Sequence, residues 1–594
     1  MVIQNKDDYI TEAERQLSDE EYYTRLDADP TADYVKQALN CVETLSSVSN
    51  GHTLVPETPR VSEFYMLPKI HKLPSLVTNV TECDESDAQE IVSKAKEHNI
   101  IPPGRPIISS VKCLTETMSE HVDKKLQACL PKIKSYVKDT TDFLNKINSV
   151  EIQNGYMLVT MDVKSLYTNI PHEGGVQALR SFLRSHSEYT TTEIEDLSSI
   201  TEFILKHNYF RFDDKYFLQK KGTAMGTKMA PAYANIFMAV LEEDFLSKSQ
   251  FQPTLYLRYI DDIFMIWPHG VDELKTFHQQ FELQNPNIKF TMESSREKVH
   301  FLDVTLSTNG QKLETSVYKK PTDSFTYLNY KSFHPRHIKE SIVYSQLLRY
   351  KRITSDPQTY ESDALQLGKH FIERGYPIKL IKKAMEKVSQ KRREDLLKQE
   401  RKEKDEVAIP FVSTYHPKTQ YLARTVKQEW HTITTDEKLA KIMPKVPLHA
   451  QRQPPNLKKL LVKNQLPGTP KPRGNKPCGK PRCQICAHLI TDDSLRLPSG
   501  YTINPPNHNC DASNILYCLF CTKCPDVTYI GETSTKFRAR FNNHRCTIRQ
   551  HRMGFPVAEH FNKANHSMSD LKICLFGGGY KTADERKLAK ICLL

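Results

Sequence analysis

With 594 residues, 68.6 kDa, 38% apolar and 26% charged side chains and a mean hydropathy of −0.56, the chain is too long for one hydrophobic core and reads as two to four domains. Its 25 Phe and 27 Tyr exclude wholesale disorder. No apolar run approaches the ~18 residues a membrane span requires and the opening MVIQNKDDYI is too polar for a secretory leader, so a soluble intracellular protein is expected.

In chain order, residues 1–60 read as an N-terminal helical extension, helical around Thr11 to Arg25. Residues 61–320 alternate short apolar strands with helical patterns, as in the strand YMLVTMD from Tyr156, the helix from Pro231 to Phe245, and the hairpin LYLRYIDDIFMIW from Leu255 to Trp267. This pattern predicts an α+β domain built on an antiparallel sheet. Residues 321–405 read as helices ending in a solvated charged run, KKAMEKVSQKRRED from Lys382. Residues 406–477 read as a basic, Pro-rich linker. Lys and Arg (83) exceed Asp and Glu (71) by 12, and from Lys441 to Gln484 there are eleven Lys/Arg and nine Pro with no acidic residue. Such a stretch is expected to be extended and to attract polyanions. Residues 478–594 form a last, Cys/His-rich domain holding ten of the fourteen cysteines.

Two constellations carry chemistry. In YIDD, Asp261 and Asp262 interrupt two apolar strands, and Asp162 ends a third strand. Clustered anions are costly without cations, and a carboxylate trio suits a pair of Mg²⁺ or Mn²⁺ ions activating a hydroxyl and stabilising a leaving pyrophosphate. In the last domain, Cys478, Cys483-x2-Cys486 and His488 form one group with zinc spacing, and Cys510 with Cys521-x2-Cys524 a second. Soft thiolates at that spacing suit structural Zn²⁺, while Cys518, Cys546, Cys574 and Cys592 read as buried thiols.

The surroundings of the aspartates resemble a reverse transcriptase. VTMDVKSLYTNIP (Val159 to Pro171), GTAMGTKMAPAYANIFM (Gly222 to Met238) and YIDD resemble its three palm motifs in order. FYMLPKIHK (Phe64 to Lys72) and GRPIISS (Gly104 to Ser110) resemble finger segments, and HFLDVTL (His300 to Leu306) and FHPRHIKESIVYSQLLRYKRI (Phe333 to Ile353) the palm's end and the thumb. The resemblance covers about 64–355 and points to the Penelope-like retroelements. It implies a right-hand polymerase in which Asp162, Asp261 and Asp262 hold the metals with the Val163 carbonyl. It also implies that Tyr167 is a steric gate against a ribose 2′-hydroxyl, that Arg105, with Lys69 and Lys72 as further candidates, grips the triphosphate, and that Gly226 lets backbone approach the incoming base pair or template. Tyr259 joins these substrate-binding residues. Met225 departs from the Gln usual before this Gly. Arg336, Lys339, Arg349, Lys351 and Arg352 would lie near primer phosphates.

Residues 514–545, NILYCLFCTKCPDVTYIGETSTKFRARFNNHR, resemble a GIY-YIG endonuclease, a small α/β domain. This implies catalytic Tyr517, Tyr529, Arg540 and His544, and a metal-binding Glu. Glu559 and Glu585 are the two candidates, because the chain ends at ERKLAKICLL and the domain is expected to be shortened. The resemblances together imply an RNA-directed DNA polymerase, made in the cytoplasm and acting in the nucleus on an RNA template, a DNA primer or target and dNTPs, with a DNA-nicking domain held on the same nucleic acid by the linker. The alternatives are a catalytically inactive nucleic-acid-binding descendant of such an element, and a zinc-dependent nuclease whose N-terminal region is scaffold.

Overall fold

A computed structural model describes residues 4–48, 51–81, 88–148, 150–153, 155–310, 312–320, 323–398, 410–442, 445–454, 456, 474–480, 483–492, 494–496, 502–503, 505–506, 508–578, 580 and 583–591. The chain divides into two compact units, residues 1–466 and 467–594.

At the centre of the first unit is a four-stranded antiparallel sheet in the order Leu255–Tyr259, Asp262–Trp267, Met157–Val163, Phe290–Ser295. Its middle strands read as nearly continuous apolar runs because both faces are covered. Val159, Met161, Val163, Ile263, Met265 and Trp267 enter a core shared with the helices His172–His186, Thr191–Lys206 and Ala230–Lys248. The alternate residues Leu158, Leu257, Phe264 and Ile266 enter a second core with the hairpin after Lys298 and the helices Arg336–Ile353, Pro357–Glu373 and Ile378–Ser389. From Ala230 to Leu241 the helix Ala230–Lys248 is apolar nearly all round, as a helix enclosed by neighbours must be, and its charged residues gather in the last two turns.

A five-stranded sheet supplies the finger segments, in the order Tyr23–Leu26, Lys215–Gln219, Tyr209–Phe212, Ser62–Pro68, Gly104–Ser109. Here the N-terminal expectation is corrected. Its first helix is Lys6–Leu17, and the residues after it form the edge strand Tyr23–Leu26, while Ala38 and Val42 of the helix Thr31–Glu43 enter the main core. Residues 6–54 are thus packed into the body of the first unit. The linker is also corrected. Strands Pro410–Thr414 and Leu448–Arg452 pair in parallel, with the helices Thr419–Gln428, Trp430–Thr434 and Glu437–Ile442 between them. These helices precede most of the prolines, which begin in earnest at Pro444.

The second unit has a three-stranded antiparallel sheet, Cys524–Thr533, Ile515–Cys521, Leu571–Phe576, with Ile515–Cys521 in the middle. Helices Phe537–Arg549 and Pro556–Phe561 cover one face and Ala589 of Ala583–Ile591 packs on the other. Cys518 and Cys574 are buried as expected, whereas Cys546 is exposed on its helix and Cys592 lies outside the described residues. Among the described residues no helix is long and apolar enough to cross a membrane.

Candidate active site

The central sheet delivers the three aspartates to one end. Asp162 pairs directly with Asp262 across the sheet, and the Val163 amide donates to the Asp261 carbonyl at 3.0 Å. Tyr259 pairs with Asp262, leaving Ile260 and Asp261 as a two-residue turn in which Ile260 takes a left-handed φ of +56°. Tight hairpins require such a conformation, yet a β-branched side chain is strained there. Burial, and after it the charges of Asp261 and Asp162, raise the Asp262 carboxyl to about 6, against the pull of Lys320. Burial and Asp261 likewise raise Asp162, which Lys72 and Lys69 oppose. Burial raises Asp261, while Arg105 and Arg258 hold it down.

Cations from the finger sheet therefore face the carboxylates. Arg105 stands opposite Leu67 in the paired strands Ser62–Pro68 and Gly104–Ser109, and the Lys69 amide is tied to the Pro103 carbonyl at 2.8 Å. Tyr167 lies on the same side: burial first, then Asp261 and Tyr259, push its hydroxyl up to about 12, and its carbonyl accepts from the Thr223 amide at 2.7 Å. Gly226 differs from expectation. Its φ is +132°, and a Cβ would sit 2.2 Å from the Ile108 carbonyl oxygen. The Ile108 amide donates to the Met225 carbonyl at 3.1 Å and the Ser110 hydroxyl to the Gly226 carbonyl at 2.5 Å. The glycine thus admits finger backbone, and Met225 takes part through its main chain. The five cations proposed for primer phosphates are engaged within the protein: Arg336 with Glu340, Lys339 with the Tyr330 carbonyl, Arg349 with Asp303, Lys351 with the Ser389 carbonyl and Arg352 with the Leu396 carbonyl.

Three carboxylates brought to one end of the sheet offer oxygen donors suited to hard divalent ions. Their mutual repulsion is the deficit that such ions remove. Sequence reasoning missed Lys320, one lysine in a Lys-rich stretch, and the wholly buried Arg258.

In the second unit Tyr517, Tyr529, Arg540 and His544 come together. The Tyr517 hydroxyl lies 2.8 Å from His544 Nε2 and accepts from Arg540 Nε at 3.0 Å, and the Tyr529 and His544 rings are 5.6 Å apart. Burial and then Arg540 press His544 down to about 4, leaving a neutral imidazole to accept the Tyr517 proton. Burial keeps Tyr517 at about 12 despite Arg540. Gly531 pairs with Tyr517, whose ring would lie 2.2 Å from a Cβ there, which explains the glycine of YIG. The Glu559 carboxylate is taken up by the Gly554 amide at 2.6 Å, and the Glu585 side chain lies outside the described residues.

The zinc grouping is corrected. Cys478, Cys483, Cys486 and Cys510 form one set and Cys521, Cys524, His560 and His566 another, the ligand atoms of each within 4.8 Å of one another. Cys510 moves to the first set because its neighbour there, Cys486 Sγ, is 3.6 Å away, while His488 binds the Leu571 carbonyl instead. Arg538 donates to the sulfurs of Cys478 and Cys483 at 3.2 and 3.3 Å. Burial would raise Cys483, but the amides of Ile485 and Cys486 and adjoining thiols bring it down to about 6. In the second set His560 Nε2 is buried without a partner, and Cys524 Sγ lies 3.3 Å from His566 Nε2. An orphaned imidazole nitrogen beside thiols fits a soft-ligand metal. The overlooked signal was the His560-x5-His566 spacing.

Residues 100–331 match the family model described as reverse transcriptase (RNA-dependent DNA polymerase), and residues 326–386 the one described as animal helix-turn-helix domain. The latter covers the helices Arg336–Ile353 and Pro357–Glu373 and most of Ile378–Ser389, within the expected thumb. No curated protein matches. Among solved structures the chain is similar to telomerase from Candida albicans in complex with a TWJ fragment of telomeric RNA (10% identity, 74% of this chain and 63% of that one, TM-score 0.42). It is also similar to apo telomerase from Candida tropicalis (14% identity, 58% of this chain and 62% of that one, TM-score 0.33). The chain thus spans less than two thirds of the length of either. It carries a reverse transcriptase domain in a mixed α/β fold.

Proposed function

We propose that this protein is the RNA-directed DNA polymerase of a Penelope-like retroelement, extending a DNA primer with dNTPs along an RNA template in the nucleus. The observation that carries the reading is the convergence of Asp162, Asp261 and Asp262 at one sheet end, within the segment that matches the reverse transcriptase model. These carboxylates, with the Val163 carbonyl, would hold the divalent ions. Bound Mg²⁺ or Mn²⁺ would supply acidification of the primer 3′-hydroxyl and neutralisation of the leaving pyrophosphate.

The chain's own residues do the remainder. Arg105, Lys69 and Lys72 bind the triphosphate, Arg105 as a planar fork able to clamp two oxygens. Tyr167, half-buried beside Asp261, fills the space in which a ribose 2′-hydroxyl would have to fit. Tyr259, anchored in the pair with Asp262, supports the primer terminus.

The Penelope-like assignment adds the motif order of the palm to the GIY-YIG-like second unit. There we propose DNA nicking, with Arg540 stabilising phosphorane charge and the Tyr517–His544 pair accepting a proton. Zn²⁺ in the two Cys/His sets would be structural. Glu559, occupied by Gly554, favours a second reading of that unit alone, as a DNA-binding module that does not cut.

Primer extension on an RNA template with Mg²⁺ or Mn²⁺, comparing the parent with Asp261→Asn, tests the polymerase. Extension by the parent and its loss in the variant are expected, and equal extension by both sinks the assignment. Plasmid nicking abolished by Arg540→Ala is the corresponding result for the second unit.

A further inference from the structure

The strand leading into the YIDD turn carries a cation that no solvent reaches. Arg258 has 0% of its side chain exposed and is paired with Glu242, which is 2% exposed, on the helix Ala230–Lys248. Buried arginines survive only when paired and hydrogen-bonded, and four guanidinium hydrogen bonds hold this one. Nε donates to Glu242 Oε1 at 2.5 Å, Nη2 to the Asn235 carbonyl at 3.0 Å, and Nη1 to Asn235 Oδ1 at 2.8 Å and to the Ile260 carbonyl at 3.1 Å. Glu242 is completed by the Tyr256 hydroxyl at 2.8 Å and the Ser135 hydroxyl at 2.7 Å.

An ion pair this deep is a poor way to gain stability, since apolar residues of like volume serve as well or better. Its use must lie in what it holds. Of the guanidinium bonds, the one to Ile260 leaves the Arg–Glu–Asn cluster, and it ends on the residue with the strained left-handed φ of +56°. That conformation determines where the next residue, Asp261, stands relative to Asp162.

We infer that Arg258 is a positioning residue for nucleotidyl transfer: anchored by Glu242 and Asn235, it holds the Ile260–Asp261 turn in its strained form and so fixes Asp261 beside the Asp162–Asp262 pair. The inference rests on the polymerase reading above. It assigns to the helix after Gly226 a second task, that of a rigid mount for the carboxylate turn.

The test uses the full chain. Arg258→Lys keeps a charge for Glu242 but loses the planar fork. Its kcat for primer extension should fall by roughly 10²-fold, the scale for a catalytic group displaced by ~1 Å, with the dNTP KM within about twofold. Adding Ile260→Gly, which adopts positive φ without strain, should restore kcat at least about threefold, a rescue that a merely structural arginine does not give. Parental kcat in Arg258→Lys, KM changing in step with kcat, or no rescue by Ile260→Gly overturns the inference. Should Arg258→Lys fail to fold, Asn235→Ala, which removes one acceptor that orients the guanidinium, is measured with and without Ile260→Gly under the same criteria. A parent that does not extend primers overturns the polymerase reading itself. A working parent, an inactive Asp262→Asn and a fully active Arg258→Lys overturn this inference alone.

Discussion

In the first unit the reactive groups are three carboxylates at the end of a four-stranded sheet covered on both faces by large cores. In the second they are a tyrosine, an arginine and a neutral histidine on a three-stranded sheet with a much smaller core, flanked by two sets of cysteines and histidines. The difference lies in what each fold can tolerate. Extensive packing lets the first unit keep groups that repel one another, so metals bound there would serve chemistry and the fold would stand without them. A unit with little to bury would lean on metal ligation for the fold itself.

Metal removal should break this contrast most sharply. A thiol-competing zinc chelator, or Cys524→Ser with His566→Ala, should abolish the second unit's thermal transition, because binding free energies on the order of 10 kcal/mol couple to folding in small zinc modules. The transition of the first unit should stay in place. A chelator that leaves both transitions untouched in differential scanning calorimetry makes the Cys/His sets ordinary thiols and imidazoles.

Next in size is Asp262→Asn. Extension should fall by on the order of 10²–10³, as when one preorganised charge-stabilising group is removed. Metal-free stability should move the other way, rising by a few tenths to about 1 kcal/mol, because like charges directly opposite each other on a sheet are destabilising. Lower stability with the activity loss would mean that Asp262 is structural.

The sequence made the aspartates legible for a local reason: carboxylates that interrupt apolar strand runs need an explanation. Tyr517, Tyr529, Arg540 and His544 were equally legible, since strand alternation and one helical turn bring them to one face. What escaped depended on partners distant in the chain. Cys510 joined Cys486 and not the nearer Cys521, and His560 and His566 completed a set begun some forty residues earlier at Cys521 and Cys524. Tyr23–Leu26 became an edge strand because Lys215–Gln219 offered it a register. Arg258 went unnoticed because nothing local announces Glu242 and Asn235 across the helix interface. Gly226 is a place of close approach, but the approaching group, the Ile108 carbonyl, lies more than a hundred residues upstream.

Sugar discrimination is the third measure. Tyr167→Ala should lower the preference for dNTPs over rNTPs by roughly 10–100-fold, since rejecting one added hydroxyl by shape is worth about that much. The loss should appear as faster rNTP incorporation with little change for dNTPs. Unchanged discrimination would place Tyr167 in the core alone, where its ring already packs beside residues of the larger cluster.

The smallest effect follows from His544, which is 9% exposed and held near 4 against an ordinary value of 6.5. Its unfolded form binds a proton at a pH where the folded form refuses one, so the unfolded state carries more protons between about 4 and 6.5 and the second unit's stability should rise with pH across that window. Above 6.5 the contribution is complete, and it is lost as the pH falls toward 4. Other titrating groups, including the metal ligands, contribute in parent and variant alike, so the difference between the parent and His544→Asn isolates this one. Thermal melts of the second unit over that range should show a shallower pH slope in the variant. Equal slopes would mean that the imidazole titrates in the fold as it does in the unfolded chain, which removes the depressed, buried histidine on which the nicking proposal draws.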